Sequence, residues 1–201
     1  MDPDRLGPIA GRGSRAQLRV KCRGVRGGAG GAAPARRWQT RGMSALAEGT
    51  AAPPLDLPLL QGGRFQSAEA AGAVILAFFK VDCPVCQFSF PYLQRLFAQV
   101  PERGPKLVGV AQNDARAARK FAQTYGVRFP IALDAAPEHA ASRAYGLAHV
   151  PSVFWVGADG RIAQTIVGFD KADYGQLAAA AGVEELFTAE EQRKLPGRRP
   201  G

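Results

Sequence analysis

The stretch that most constrains this chain is residues 74–86. An apolar run over 74–79 meets a short polar break at Lys80, Val81 and Asp82, and then Cys83-Pro84-Val85-Cys86 opens a helical pattern over 87–100. The pattern predicts a buried strand that delivers two thiols to the first turn of a helix. The unpaired N–H groups and the positive end of the helix dipole favour a thiolate there. Cys83 falls at or beside the N-cap, and Pro84 takes the first helical position, where a missing N–H costs nothing. Cys86, three residues on, faces the same side and can close a disulfide with Cys83. A thiol so placed has its pKa lowered from about 8.5 into roughly the 3.5–7.5 range, which makes it nucleophilic at neutral pH. The chemistry that follows is redox exchange.

Two other uses of such a pair are less well supplied. A structural zinc site needs four ligands, and the remaining Cys22, His139 and His149 stand at no ligand spacing to the pair. A purely structural staple closing so short a loop gains little loop entropy.

The formal charge of +9 looks like a nucleic-acid signal until it is located. Residues 1–42 hold ten of the 26 Lys and Arg but two of the 17 Asp and Glu, so the remainder is nearly neutral. Residues 1–42 are rich in Gly, Arg, Ala and Pro and have no helical or strand period, so they are read as disordered, with no role for Cys22. Their apolar stretches are broken by Arg every few residues, so no signal peptide is expected. An Arg-rich, acid-poor leader fits an organelle transit peptide or weak phosphate contacts with RNA. The favoured reading is that Met43 is the true start. No stretch is apolar for the roughly 18–20 residues of a membrane span, and the cysteine usage suits a reducing, cytoplasmic compartment.

The ordered domain is expected over 43–185, with 186–201 a tail carrying a short helix capped by Thr188-Ala189-Glu190-Glu191. Within the domain the pattern predicts an edge strand over 55–60, a turn at Gln61-Gly62-Gly63, and a short strand or bend over 64–66. Ser67 is expected to cap a helical turn through Ala71. The central strand follows over 74–80, then the helix that starts at the cysteines, with Phe88, Leu93, Leu96 and Phe97 mostly in the core. Pro91 interrupts that helix. A strand over 106–111 comes next, then a helix capped by Asn113-Asp114 and stopped at Gly126. A strand over 130–134 and a helix over 138–145 precede two paired strands, 152–156 and 162–167, joined across Gly157-Ala158-Asp159-Gly160. A last helix starts at Asp170 and ends near Gly182. This order gives an α/β sheet, parallel first and antiparallel at its end.

With Cys83-Pro84-Val85-Cys86, that order resembles the thioredoxin-like superfamily, in its TlpA/ResA-like, redoxin (AhpC/TSA-like) branch. The resemblance covers about 52–182. It is carried by the cysteine pair between strand and helix, Pro91 eight residues after Cys83, a longer crossover over about 114–130, Val150-Pro151-Ser152 entering the hairpin strand, and the Gly157-Ala158-Asp159-Gly160-Arg161 turn. The resemblance implies a thioredoxin-like fold, a central mixed sheet flanked by helices. It also implies thiol–disulfide exchange, with Cys83 as the attacking thiolate and Cys86 as the buried resolving thiol. Pro84, Val85, Val150 and Pro151 would form the substrate-binding surface. A cis peptide before Pro151 would bring the Val150 backbone beside the sulfurs, where an extended substrate pairs with it. No cofactor beyond a redox-active Cys83–Cys86 disulfide is implied. The implied partners are protein disulfides or thiols and an electron donor such as a thioredoxin system, with the chain a monomer.

Two positions depart from thioredoxin. Ala77 stands where it has a buried aspartate, the proton acceptor for the resolving thiol. Asp82 replaces the tryptophan before the first cysteine, and its charge disfavours a neighbouring thiolate. Glu138, His139 and His149 are the stand-ins to check for the acceptor, and Lys80 for the thiolate. A thiol peroxidase, with Cys83 peroxidatic and Cys86 resolving, is the alternative function. Its Pro-x-x-x-Thr/Ser-x-x-Cys motif is missing in both registers: Phe79 and Cys83 precede Cys86, and Leu76 and Lys80 precede Cys83. A copper-handling binding module would need a His beside the pair, and only His149 is a candidate.

Overall fold

The computed structural model describes residues 45–201; residues 1–42 and Cys22 lie outside the described residues. In chain order the elements are β1 (Asp56–Pro58), β2 (Arg64–Gln66), β3 (Val74–Phe79), α1 (Pro84–Gln99), β4 (Lys106–Ala111), α2 (Ala115–Tyr125) and β5 (Ile131–Leu133). They continue with α3 (Ala140–Ala144), β6 (Ser152–Val156), β7 (Ile162–Val167), β8 (Phe169–Asp170), α4 (Lys171–Ala180), α5 (Ala189–Lys194) and β9 (Arg198–Arg199).

The main sheet has the order β5-β4-β3-β6-β7. β3 runs parallel to β4 and antiparallel to β6, and β4 runs parallel to β5, so the strand before the cysteines is central. All six β3 residues are buried, as expected of an apolar run covered on both faces. Successive strand side chains point to opposite faces. Accordingly Ile75, Ala77 and Phe79 join one core with α1, α2 and α4, while Val74, Leu76 and Phe78 join a second core with Tyr145 and Phe154. The first core is aromatic: the ring centroids of Phe79 and Phe90 stand 4.4 Å apart, and those of Phe90 and Phe121 5.0 Å. Fully buried Leu93 and Leu96 on α1 each contribute about 1.5–3 kcal/mol by leaving water. These contacts fix α1, and with it the cysteines, against β3.

The ends of α2 follow the sequence. The Asp114 carboxylate accepts the Ala117 N–H at 2.8 Å, and Gly126 adopts the left-handed conformation that ends the helix. Three details differ from expectation. Ser67 does not cap: its hydroxyl accepts the Leu55 N–H at 2.8 Å, tying two loop segments, and only a 3₁₀ turn over Ser67–Glu69 follows. Phe97 is 36% exposed rather than core, because it lies on the solvent side of α1. Residues 186–201 contain the expected helix as α5, with a full capping box at Thr188 and Glu191, but they also pack back onto the domain. Leu186 and Phe187 are buried with Tyr92 and Tyr174, and β9 pairs antiparallel with β8.

Candidate active site

β3 ends at Phe79, and a tight turn carries the chain into α1. The Cys83 N–H donates to the Lys80 carbonyl at 3.3 Å, and the Gln87 N–H donates to the Cys83 carbonyl at 3.0 Å, starting the helix. Cys83 is the N-cap with extended backbone, and Pro84 is the first helical residue. The Cys83 Sγ accepts the Cys86 N–H at 3.2 Å, which places the sulfur on the free amides of the first turn. The Cys83 thiol in turn donates to the Val150 carbonyl at 3.3 Å. The Val150–Pro151 peptide is cis, and the Pro151 carbonyl accepts the Gly168 N–H at 2.7 Å. Loops 67 residues apart in sequence thus meet at one sulfur.

The two thiols are unlike. Cys83 is half-buried at the surface and Cys86 is fully enclosed. Burial is the main force pushing the Cys86 thiol well above its ordinary value. The hydrogen bond with Cys83 and the charges of Cys83 and Asp82 add to it, and the Lys80 backbone opposes it. Cys86 is therefore protonated at neutral pH, and Cys83 is the more accessible of the two thiols.

Sequence reasoning missed the side chains that hold the turn. The Gln87 amide donates to the Val81 carbonyl at 2.9 Å, and the Val81 N–H donates to Asn113 Oδ1 at 2.9 Å. Asn113 was expected to share a helix cap with Asp114; Asp114 caps alone, and Asn113 pins the turn before Cys83. Nothing in the spacing of residues 81 and 113 signals that contact. Pro84 is exposed and Val85 is half-buried beside Cys83, while Pro151 is buried behind Val150.

None of the three stand-in acids and bases makes a hydrogen bond to either sulfur among the described residues. Glu138 and His149 are exposed, and His139 Nδ1 stands 2.7 Å from the Asp134 carbonyl oxygen. Buried Asp134 is engaged at the start of α3, accepting from the Ala141 and Ser142 N–H groups and the Ser142 hydroxyl. Ala77 is fully buried. Lys80 is exposed and serves the turn through its backbone. Among the described residues no three of His, Cys, Asp and Glu group as a metal site, and no helix is long and apolar enough to cross a membrane.

The profile of the AhpC/TSA family matches residues 49–165. The chain belongs to the AhpC/TSA family. Among curated relatives, the thiol-disulfide oxidoreductase ResA of Bacillus subtilis (strain 168) is 27% identical over 129 residues, covering 63% of this chain and 71% of that protein. ResA of Geobacillus thermodenitrificans is 28% identical over 127 residues, covering 62% and 72%. Among solved structures, a thioredoxin-family thiol:disulfide interchange protein from Chlorobium tepidum matches with a TM-score of 0.57 and 29% identity, over 68% of this chain and 99% of that one. The thioredoxin domain of a thiol-disulfide oxidoreductase from Bacteroides vulgatus matches with a TM-score of 0.60 at 18% identity, over 67% and 97%, a likeness of fold alone. Within the family this is a ResA/TlpA-like member of the thioredoxin superfamily.

Proposed function

We propose that the protein exchanges a Cys83–Cys86 dithiol with the disulfides of partner proteins through a mixed disulfide, with Cys83 attacking and Cys86 resolving. Thiol–disulfide exchange is the activity in the names of its ResA relatives, and it is the oxidoreductase class this chain falls in. The observation that carries the assignment of roles is the asymmetry at the helix start. One sulfur is open and held by the Cys86 N–H, and the other is enclosed directly behind it. The Cys83 thiolate attacks one sulfur of the partner disulfide; that S–S bond breaks, a Cys83–partner bond forms, and the leaving thiolate takes up a proton. Cys86 loses its proton and attacks the Cys83 sulfur, forming the Cys83–Cys86 disulfide and releasing the second partner thiol. Two electrons pass to the partner, and a dithiol donor of the thioredoxin type returns them. Val150, Pro151, Pro84 and Val85 frame the approach to Cys83.

A thiol peroxidase is the second reading, favoured by the family profile. Against it, the residue three before Cys83 is Lys80, exposed and bonded through its carbonyl to the Cys83 N–H, so no hydroxyl stands there to orient a peroxide. The test is stopped-flow loss of thiol from the reduced Cys22→Ser protein, against hydrogen peroxide and against a model protein disulfide. Fast reaction with the disulfide, with a peroxide rate no better than free cysteine, is expected. A peroxide rate orders of magnitude above free cysteine overturns the reading.

A further inference from the structure

The backbone beside Cys83 that an extended substrate would use is already in contact with this chain's own residues 198–201. β9 pairs with β8, Phe169 opposite Arg199 and Asp170 opposite Arg198, and the Lys171 N–H donates to the Gly197 carbonyl at 2.8 Å. From there the chain crosses Gly168, the residue bonded to the Pro151 carbonyl. A Cβ at Gly168 would lie 2.5 Å from the Arg199 carbonyl oxygen and 2.8 Å from the Gly201 nitrogen, so only glycine admits the crossing. The segment then reaches Val150: a Cβ at Gly201 would stand 2.9 Å from the Val150 carbonyl oxygen, the same oxygen that accepts the Cys83 thiol. On its way the Arg199 guanidinium carbon lies 3.9 Å over the ring of Phe88, two residues after Cys86.

We infer that residues 198–201 form a strap that sets substrate specificity, lying where an extended polypeptide would pair with Val150 and yielding to it when a protein disulfide binds. The inference rests on the thiol-exchange reading above. A low-molecular-weight disulfide needs only Cys83, a part-exposed residue. A polypeptide that also pairs with Val150 competes with the strap, so its apparent affinity is reduced by the fraction of molecules with the strap displaced. The strap is held by a two-residue strand pair, a hydrogen bond at Gly197, a cation–π stack, the attraction of Arg198 to Asp173 and its packing on Gly168 and Val150, and residues 198–200 are exposed. A short exposed segment belongs to the part of a fold that opens most readily.

The test compares two probes with the same leaving group, 5-thio-2-nitrobenzoate, joined by a disulfide either to free cysteine or to the cysteine of an extended peptide of about 20 residues. The reduced full chain carrying Cys22→Ser, its Arg199→Ala variant, and a variant lacking residues 198–201 are mixed with each probe by stopped flow. The readout is the ratio of peptide rate to cysteine rate. Removing an exposed cation–π contact weakens the strap by a factor of about 2–5, so Arg199→Ala raises the ratio by up to that factor, and the deletion raises it further. Arg199→Ala keeps the result readable where the deletion unfolds. A ratio unchanged or lowered in Arg199→Ala refutes the strap; a lowered ratio makes the segment a wall that substrates use. If the parent protein reacts with neither probe faster than free cysteine does, the exchange reading itself fails and takes the strap with it.

Discussion

Glu191→Gln should weaken the fold by about 1–2 kcal/mol at neutral pH and by much less in acid. Arg95 on α1 holds Glu191 on α5 with both ends of its fork, Nη1 to Oε2 at 2.6 Å and Nη2 to Oε1 at 3.0 Å, and Nη1 also donates to the Leu186 carbonyl at 2.8 Å. The Thr188 N–H donates to Glu191 Oε2 at 2.8 Å, closing the capping box. These bonds, Arg95 first, hold the Glu191 carboxyl down at about 2 from an ordinary 4.5. At about 1.4 kcal/mol per pKa unit the ceiling is about 3.4 kcal/mol. The Arg95 side chain is 35% exposed and that of Glu191 24%, so water and salt screen the pair, and about 1–2 kcal/mol is the realistic share. The folded pKa is the lower one, so the stabilisation is complete above pH 4.5 and drains away as pH falls through 2. At pH 3 linkage leaves about 40% of it. Urea unfolding of the parent and Glu191→Gln proteins at pH 7 and pH 3 measures this. A destabilisation equal at the two pH values would mean that lost packing, not the carboxylate, carries the effect, and would falsify the electrostatic account.

In the Cys22→Ser background, Cys86→Ser should stall exchange after the first step, leaving about one partner adduct per chain on Cys83 in the intact mass, while Cys83→Ser forms none because the remaining thiol, Cys86, is enclosed; an adduct on Cys86 in the Cys83→Ser protein reverses the assigned roles. Tyr174 is fully buried, and its hydroxyl makes no hydrogen bond of acceptable geometry although Ser89 is its polar neighbour. Tyr174→Phe should therefore be neutral or stabilising by up to about 1 kcal/mol in the same urea assay, since it removes an unpaired buried hydroxyl. A loss of more than about 1 kcal/mol would show that the hydroxyl is bonded.

What was legible in the sequence is what local pattern and end chemistry determine. The all-apolar 74–79 run became the central strand, the cysteine pair with Pro84 became the helix start, and Asp114 and Gly126 bounded α2. The cis peptide at Pro151 and the meeting of Val150 with Cys83 came from family resemblance, because no local signal joins residues 67 apart. The packing of residues 186–201 was not legible. Leu186 and Phe187 are a lone apolar pair before a charged helix whose six residues include none that is buried, so no period marks them as core. Phe187 packs on Tyr92, from a helix far away in sequence. β9 is two exposed arginines, and only its partner β8 makes it a strand. Ser67 failed as a cap for the same kind of reason, since its hydroxyl had a long-range partner in Leu55.

Under the proposed exchange, Ala77 leaves no carboxylate at its position to take the proton of the second thiol. With no acid or base bonded to its sulfur among the described residues, Cys86 is governed by its enclosure and by Cys83. Enclosure acts at every stage, but the influence of Cys83 does not. In the reduced state the hydrogen bond with Cys83 and the charge it carries both oppose ionisation of Cys86. In the proposed exchange Cys83 carries no charge once it is joined to a partner sulfur, so that part of the opposition lifts. Under the proposed roles this relief comes at the step in which Cys86 acts as the nucleophile. A buried acid would be present at every step, whereas in the proposed exchange the first step removes one of the charges that oppose ionisation of Cys86, and its enclosure remains.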